Sequence, residues 1–134
     1  MNRKLLLLLT ALVTMAQGVW AWSGSGTQAN PYLITSASDW NTLATNSASN
    51  TYTDTYFKLT ADITVTTMVG TESHKFGGIF DGGGHTLTLS YGTSGSPLSS
   101  NNAAPFSYVN GVTIKNLHVA GNIYTSGQFA GSLM

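Results

Sequence analysis

The sequence has no cysteine. Disulfide stapling is therefore excluded, and a fold built from this chain must hold itself by burial and backbone pairing. A lipid anchor on a cysteine near the N-terminus is excluded as well. Charge is almost as scarce, at 7% of residues, so long helices with charged outer faces are not expected. The single arginine is Arg3, with Lys4 beside it. The remaining charges are Lys58, Lys75 and Lys115 against Asp39, Asp54, Asp62, Glu72 and Asp81. Three lysines against five acids leave no electrostatic footprint for nucleic acid or an anionic membrane surface. No apolar run reaches the ~20 residues a membrane-spanning helix needs.

What is present begins with an export signal. Arg3 and Lys4 form a positive start, and an apolar stretch of about 12 residues runs from Leu5 to Ala16, broken by Thr10 and Thr14. Val19-Trp20-Ala21 then places tolerated residues at the −3 and −1 positions of a cut after Ala21. Residues 1–21 thus read as a cleavable secretory signal peptide, which directs the chain to the cell surface or the medium. The remainder, Trp22 to Met134, is one domain at most.

Thr, Ser, Asn and Gly dominate that remainder. Thr, Tyr, Val and Ile suit strands, and Gly and Asn suit the turns between them, so the composition reads as all-β. Residues 22–30 read as a flexible Gly/Ser-rich entry segment. One helix is expected, from Ser36 to Asn46, with Ser36 or Ser38 as N-cap, Asp39 in the first turn, and Trp40, Leu43 and Ala44 on one apolar face. At about ten residues it must lay that face on something to persist. Strands are expected at 31–34, 56–60, 63–66, 76–80, 85–89, 106–109, 112–119 and from Phe129 onward. Asp81-Gly82-Gly83-Gly84 reads as a turn with positive φ, and residues 92–104 as a loop. The blocks 76–89 and 106–117 share one order: aromatic, turn, alternating strand. A repeat every 20–30 residues points to stacked units that bury their faces against one another. The rival is a β-sandwich of hairpins, whose two-residue turn signal is clear only at Asn110-Gly111.

Few residues suggest chemistry. Asp81 and His85 stand four apart, like an acid–base pair or two metal ligands, but no third ligand is close in sequence and a tight turn explains them. The glycine run lacks the Gly-Lys-Ser/Thr ending of a phosphate loop. His74 and His118 stand apart and read as surface residues. To act as opposed carboxylates Asp62 and Asp81 would have to lie on successive repeats, and Asp62 reads instead as a corner residue. Tyr52, Tyr56, Tyr91, Tyr108 and Tyr124 would stack on sugar rings if they were exposed along one face; at strand spacing they read first as packing residues.

Several phrases resemble a known group. Gly24-Ser25-Gly26-Thr27-Gln28-Ala29-Asn30-Pro31-Tyr32-Leu33-Ile34, followed by Asp39-Trp40 and Leu43-Ala44, resembles the opening of secreted bacterial right-handed parallel β-helix proteins of the pectin-lyase-like kind. Phe57-Lys58-Leu59-Thr60-Ala61-Asp62-Ile63 resembles their first full coil. Phe76-Gly77-Gly78-Ile79-Phe80-Asp81-Gly82-Gly83-Gly84-His85-Thr86-Leu87 resembles their F-x-G-x-F-D-G-x-G-H-T-I coil. Ile114-Lys115-Asn116-Leu117-His118-Val119 and Phe129-Ala130-Gly131-Ser132-Leu133 resemble the start of a GLUG-type repeat of adhesin-like surface proteins.

The resemblance implies an all-β right-handed parallel β-helix (a solenoid) over residues 31–134. It implies that the short helix caps the N-terminal end of the stack and that the glycines make the corners. Leu59, Ile63, Phe80, Leu87, Leu89, Ile114, Leu117 and Val119 would point inward, and Asn116 would sit at a corner or in a polar stack. Members of the group usually carry many coils, so the chain is expected to be the start of a longer protein, truncated at Met134. The function it implies is an exported, non-catalytic, adhesin-like segment whose β face binds extracellular or host glycans or proteins. No catalytic residue, metal ligand or cofactor is expected, and no binding residue is singled out. The alternative is the N-terminal part of a carbohydrate-active β-helix enzyme, a polysaccharide lyase or glycoside hydrolase whose catalytic coils lie beyond Met134. Lyases of that architecture look to need clustered Asp for calcium and a base beside a sugar carboxylate; the scattered acids and the three lysines of this chain do not supply them.

Overall fold

The computed structural model describes residues 22–134; the expected signal peptide lies outside the described residues. The architecture is mostly β, with parallel sheets and one short helix. In chain order the elements are β1 (Tyr32–Ile34), α1 (Ala37–Asn46), β2 (Tyr56–Leu59), β3 (Ile63–Val65), β4 (Ile79–Asp81), β5 (Thr86–Tyr91), β6 (Asn102–Ala103), β7 (Thr113–Lys115), β8 (His118–Ile123) and β9 (Phe129–Ala130). They form three sheets, ordered β1-β2-β4-β7, β3-β5-β8 and β6-β9. Among the described residues every ladder between strands is parallel.

Parallel neighbours need a long crossover between them. Here that crossover is filled by the other sheets: the chain goes from β2 to β3, returns as β4, passes through β5 and β6, and returns again as β7, β8 and β9. The register keeps like residues in columns. Phe57 pairs with Phe80 and Phe80 with Ile114; Ile63 pairs with Leu87 and Leu87 with Val119. These are the inward columns, and Phe57, Phe80, Ile63 and Leu87 are buried. The residues between them face out, so Lys58, Asp81 and Lys115 stack in one outward column. Alternation along each strand is what sorts the two sets.

The helix forms as expected. Ser36 is the N-cap in extended conformation, and its hydroxyl accepts the Asp39 N–H at 3.2 Å. The Asp39 carboxylate in turn accepts from the Thr35 backbone N–H (2.9 Å) and hydroxyl (2.7 Å), tying the first turn to the chain before it. Trp40 and Leu43 are fully buried. The Trp40 indole meets Phe80 and Phe106 edge-on, at 5.8 and 5.5 Å between ring centroids, and its N–H donates to the Thr67 carbonyl at 3.0 Å. The Gly/Ser-rich segment before β1, expected to be loose, is bonded in place. Leu33 donates to Ser23 and Tyr56 to Gly26, both at 2.9 Å, and Trp22 packs on Tyr32 and Phe57.

Several expected strands are redrawn. Asn110-Gly111 does turn the chain, with Gly111 at φ 70°, but it joins no hairpin. Val109 before it pairs in parallel with Phe76, and Thr113 after it pairs in parallel with Ile79. Residues 106–109 are not a strand: Phe106 bridges to Val69 and Val109 to Phe76, with a bend between. The expected loop 92–104 contains β6 and buries Ala103 and Ala104. A tight turn at Ser94-Gly95 between Thr93 and Ser96 interrupts it, and the short apolar stretch among so many Ser and Asn residues gives no periodic signal to read. β9 stops at Ala130, and Phe129 is 65% exposed. Ile114, Leu117 and Val119 pack against the core but are only half-buried, because β7 and β8 have a neighbour on one side alone.

Candidate functional site

The residues singled out for chemistry meet at the corner between the first two sheets. Asp81 ends β4, and the chain turns through Gly82, Gly83 and Gly84 into β5. Gly83 and Gly84 take φ of 59° and 78°. Gly82 is buried against the next pass of chain, where a side chain would strike the Asn116 carbonyl and Leu117. Asn116 makes the matching corner one layer on and itself adopts φ 52°, a conformation that Asn tolerates better than most residues.

The geometry separates Asp81 from His85. One Asp81 carboxylate oxygen accepts the Gly83 N–H at 2.9 Å and the Asn116 amide at 3.1 Å. His85 turns the other way, its Nδ1 3.4 Å from the Asp62 carboxylate, which also accepts the Thr86 N–H at 2.9 Å. Both carboxyls are held below their ordinary range. The Gly83 N–H is the main cause for Asp81, with Asn116, Lys115 and Lys58 adding to it; for Asp62 it is the Thr86 N–H, helped by His85 and His118. Each carboxylate is thus ionised and spent on holding a corner. Among the described residues no group of three or more His, Asp and Glu is placed to hold a metal ion.

The other candidates are dispersed. His118 is exposed and pairs across the ladder with Thr86. His74, expected at the surface, is half-buried, because a tight turn between Thr71 and His74 folds it back; its Nδ1 is buried and has no hydrogen-bond partner among the described residues. The five tyrosines share no face. Tyr91 is fully buried and donates its hydroxyl to the Thr67 carbonyl at 2.7 Å, and burial pushes its pKa up. Tyr52 sits at φ 53° against Trp22 and Phe57, and burial raises its pKa too. Tyr56 and Tyr108 are half-buried, and Tyr124 is exposed.

Two hollows lie away from this corner, and sequence reasoning gave no sign of them. One, of about 550 Å³, lies between residues 66–72 and 100–108. The other, of about 380 Å³, lies between residues 102–107 and 128–134. Their walls come from segments roughly 30 residues apart in the chain, so no local spacing could announce them. No protein-family model matches the chain, and no curated protein or solved structure matches it. Among the described residues no helix is long and apolar enough to cross a membrane.

Proposed function

We propose that the chain is exported and forms the first coils of a right-handed parallel β-helix, serving as a non-catalytic, adhesin-like binding scaffold for extracellular glycans or proteins. The observation that carries this reading is the repeated visit to the same sheets in the same order, with register kept across each visit. Such winding presents fixed outward columns, a repeating surface suited to binding an extended partner. Right-handedness follows from the crossover preference of parallel strands, about 98% of cases. The corner supports the non-catalytic part, since its Asp81 and Asp62 carboxylates are bonded to backbone N–H groups. The chain's resemblance to secreted β-helix proteins supports export.

Three measurements test it. N-terminal sequencing of protein recovered from the medium or the cell surface is expected to begin at Trp22; a start at Met1 in the cytosol would overturn export. A crystal structure is expected to show closed coils of one hand; open or antiparallel sheets would overturn the β-helix. Incubation with pectic and neutral polysaccharides is expected to release no reducing ends or unsaturated products, and turnover lost in Asp62→Asn would establish the enzyme instead.

A further inference from the structure

An asparagine or aspartate stands directly before glycine at two places, Asp81-Gly82 and Asn110-Gly111. At such a pair the following backbone nitrogen can close a five-membered ring on the side-chain carbonyl carbon. Glycine favours this, because it has no side chain to obstruct the approach and leaves the backbone free to turn.

The fold treats the two pairs differently. At the first, the Gly82 N–H donates to the Lys115 carbonyl at 2.7 Å, and Gly82 is buried against Leu117. The Asp81 carboxylate is fixed by Gly83 and Asn116 and carries no good leaving group. At the second, both residues are exposed and Gly111 has φ 70°. The space beside Gly111 is open: a side chain there would meet nothing within 4 Å. Among the described residues neither the Asn110 side-chain amide nor the Gly111 N–H makes a hydrogen bond. Other asparagines are held back. The Ser47 N–H after Asn46 donates to the Leu43 carbonyl, the Asn50 side chain accepts from the Tyr52 N–H, and Asn116 donates to Asp81.

From this contrast we infer that Asn110 is a modification site, at which the folded protein deamidates without an enzyme. The Gly111 nitrogen bonds to Asn110 Cγ, the Cγ–Nδ2 bond breaks, and ammonia leaves with the proton that the Gly111 nitrogen gave up. Water then opens the ring at either carbonyl. One opening leaves aspartate; the other leaves isoaspartate, in which the main chain runs through Cγ and is one atom longer. The position gives the longer form a consequence. The Asn110 N–H donates to the Phe76 carbonyl at 3.0 Å and the Thr113 N–H to the Gly78 carbonyl at 3.1 Å, so the turn is fastened to the previous pass of chain on both sides. An extra backbone atom between those fastenings strains them, and β7, which begins at Thr113, is the strand it loosens. This site stands independently of the binding-scaffold reading.

The test is incubation of the purified protein at mildly alkaline pH, with samples taken over weeks, digested and weighed peptide by peptide. The peptide holding Asn110 is expected to gain the mass of an amide-to-carboxylate conversion and to become a substrate for isoaspartyl methyltransferase, while those holding Asn46, Asn50 and Asn116 stay unchanged. The rate is expected to lie within about tenfold of that of the same chain in urea, and Gly111→Ala to slow it about tenfold by crowding the attacking nitrogen. Asn110→Gln, whose longer side chain would need a six-membered ring, is expected to abolish it. Conversion in urea alone, conversion that is faster at another asparagine, or a rate that neither variant moves overturns the site. Hydrogen exchange at Thr113–Lys115 is expected to be faster in the isoaspartate form than in Asn110→Asp, which adds the charge without the extra atom. Equal exchange in the two overturns the effect on β7 while sparing the modification site.

Discussion

At the scale of single residues, two buried aromatic side chains converge on one carbonyl. Thr67 O accepts from both the Trp40 indole and the Tyr91 hydroxyl, joining helix and sheet through one atom. Tyr91→Phe removes one of these bonds and leaves the acceptor with the other, so a loss of about 1 kcal/mol is expected in urea unfolding at neutral pH. The same variant has a pH signature. Burial raises the Tyr91 pKa, so the folded state holds that proton more tightly than the unfolded state. The associated stability is complete below about pH 10 and lost as pH rises above it, and Tyr91→Phe is expected to blunt the alkaline decline. Trp40→Ala opens a cavity between Phe80 and Phe106 and is expected to cost about 3–5 kcal/mol, read as a large fall in denaturation midpoint.

Elements are held by their ends and by close approach. Ser36 caps α1 through one bond to Asp39, and Ser36→Ala is expected to cost about 1 kcal/mol, visible as a lower thermal midpoint. The ladder between β5 and β8 depends on Gly121, which sits at φ 101° opposite Leu89; a methyl group there would strike the Leu89 backbone. Gly121→Ala is expected to destabilise by roughly 2 kcal/mol or more, and hydrogen exchange is expected to accelerate at β8 before it does at β2. The contrast between these elements follows from their neighbours: β2 lies between β1 and β4, whereas β8 has only β5.

Across the whole molecule, half of the eight charged side chains among the described residues gather where passes of chain stack. Lys58, Asp62, Asp81 and Lys115 all lie at or beside the corner between the first two sheets, and two carboxylates there hold backbone N–H groups. Both carboxyls bind protons less readily folded than unfolded. Their contribution is therefore present above the ordinary carboxylate range, about pH 4, and disappears as pH falls below it. Urea midpoints are expected to drop between about pH 5 and pH 3. Asp81→Asn, which keeps the shape and removes the titration, is expected to flatten part of that drop; an unchanged slope would mean that the corner carboxylates do not matter to stability.

Local chemistry alone determined much of this protein. Ser36, Asp39 and the Trp40–Leu43–Ala44 stripe announced α1, because capping and helical periodicity act within a few residues. The glycine run marked the corner after Asp81, since that depends on the residues themselves, and the resemblance to β-helix coils marked Leu59, Ile63, Leu87 and Leu89 as inward. Only the tertiary structure decided which strands pair. Partners such as Phe57 and Phe80 are separated by a full pass of chain, and Asn110-Gly111 reads as a hairpin until Val109 is seen pairing with Phe76. It also gave His85 to Asp62 rather than to Asp81. Partner choice is a collective outcome: each register is selected by how well its inward column packs against the next, and that energy belongs to no window of sequence.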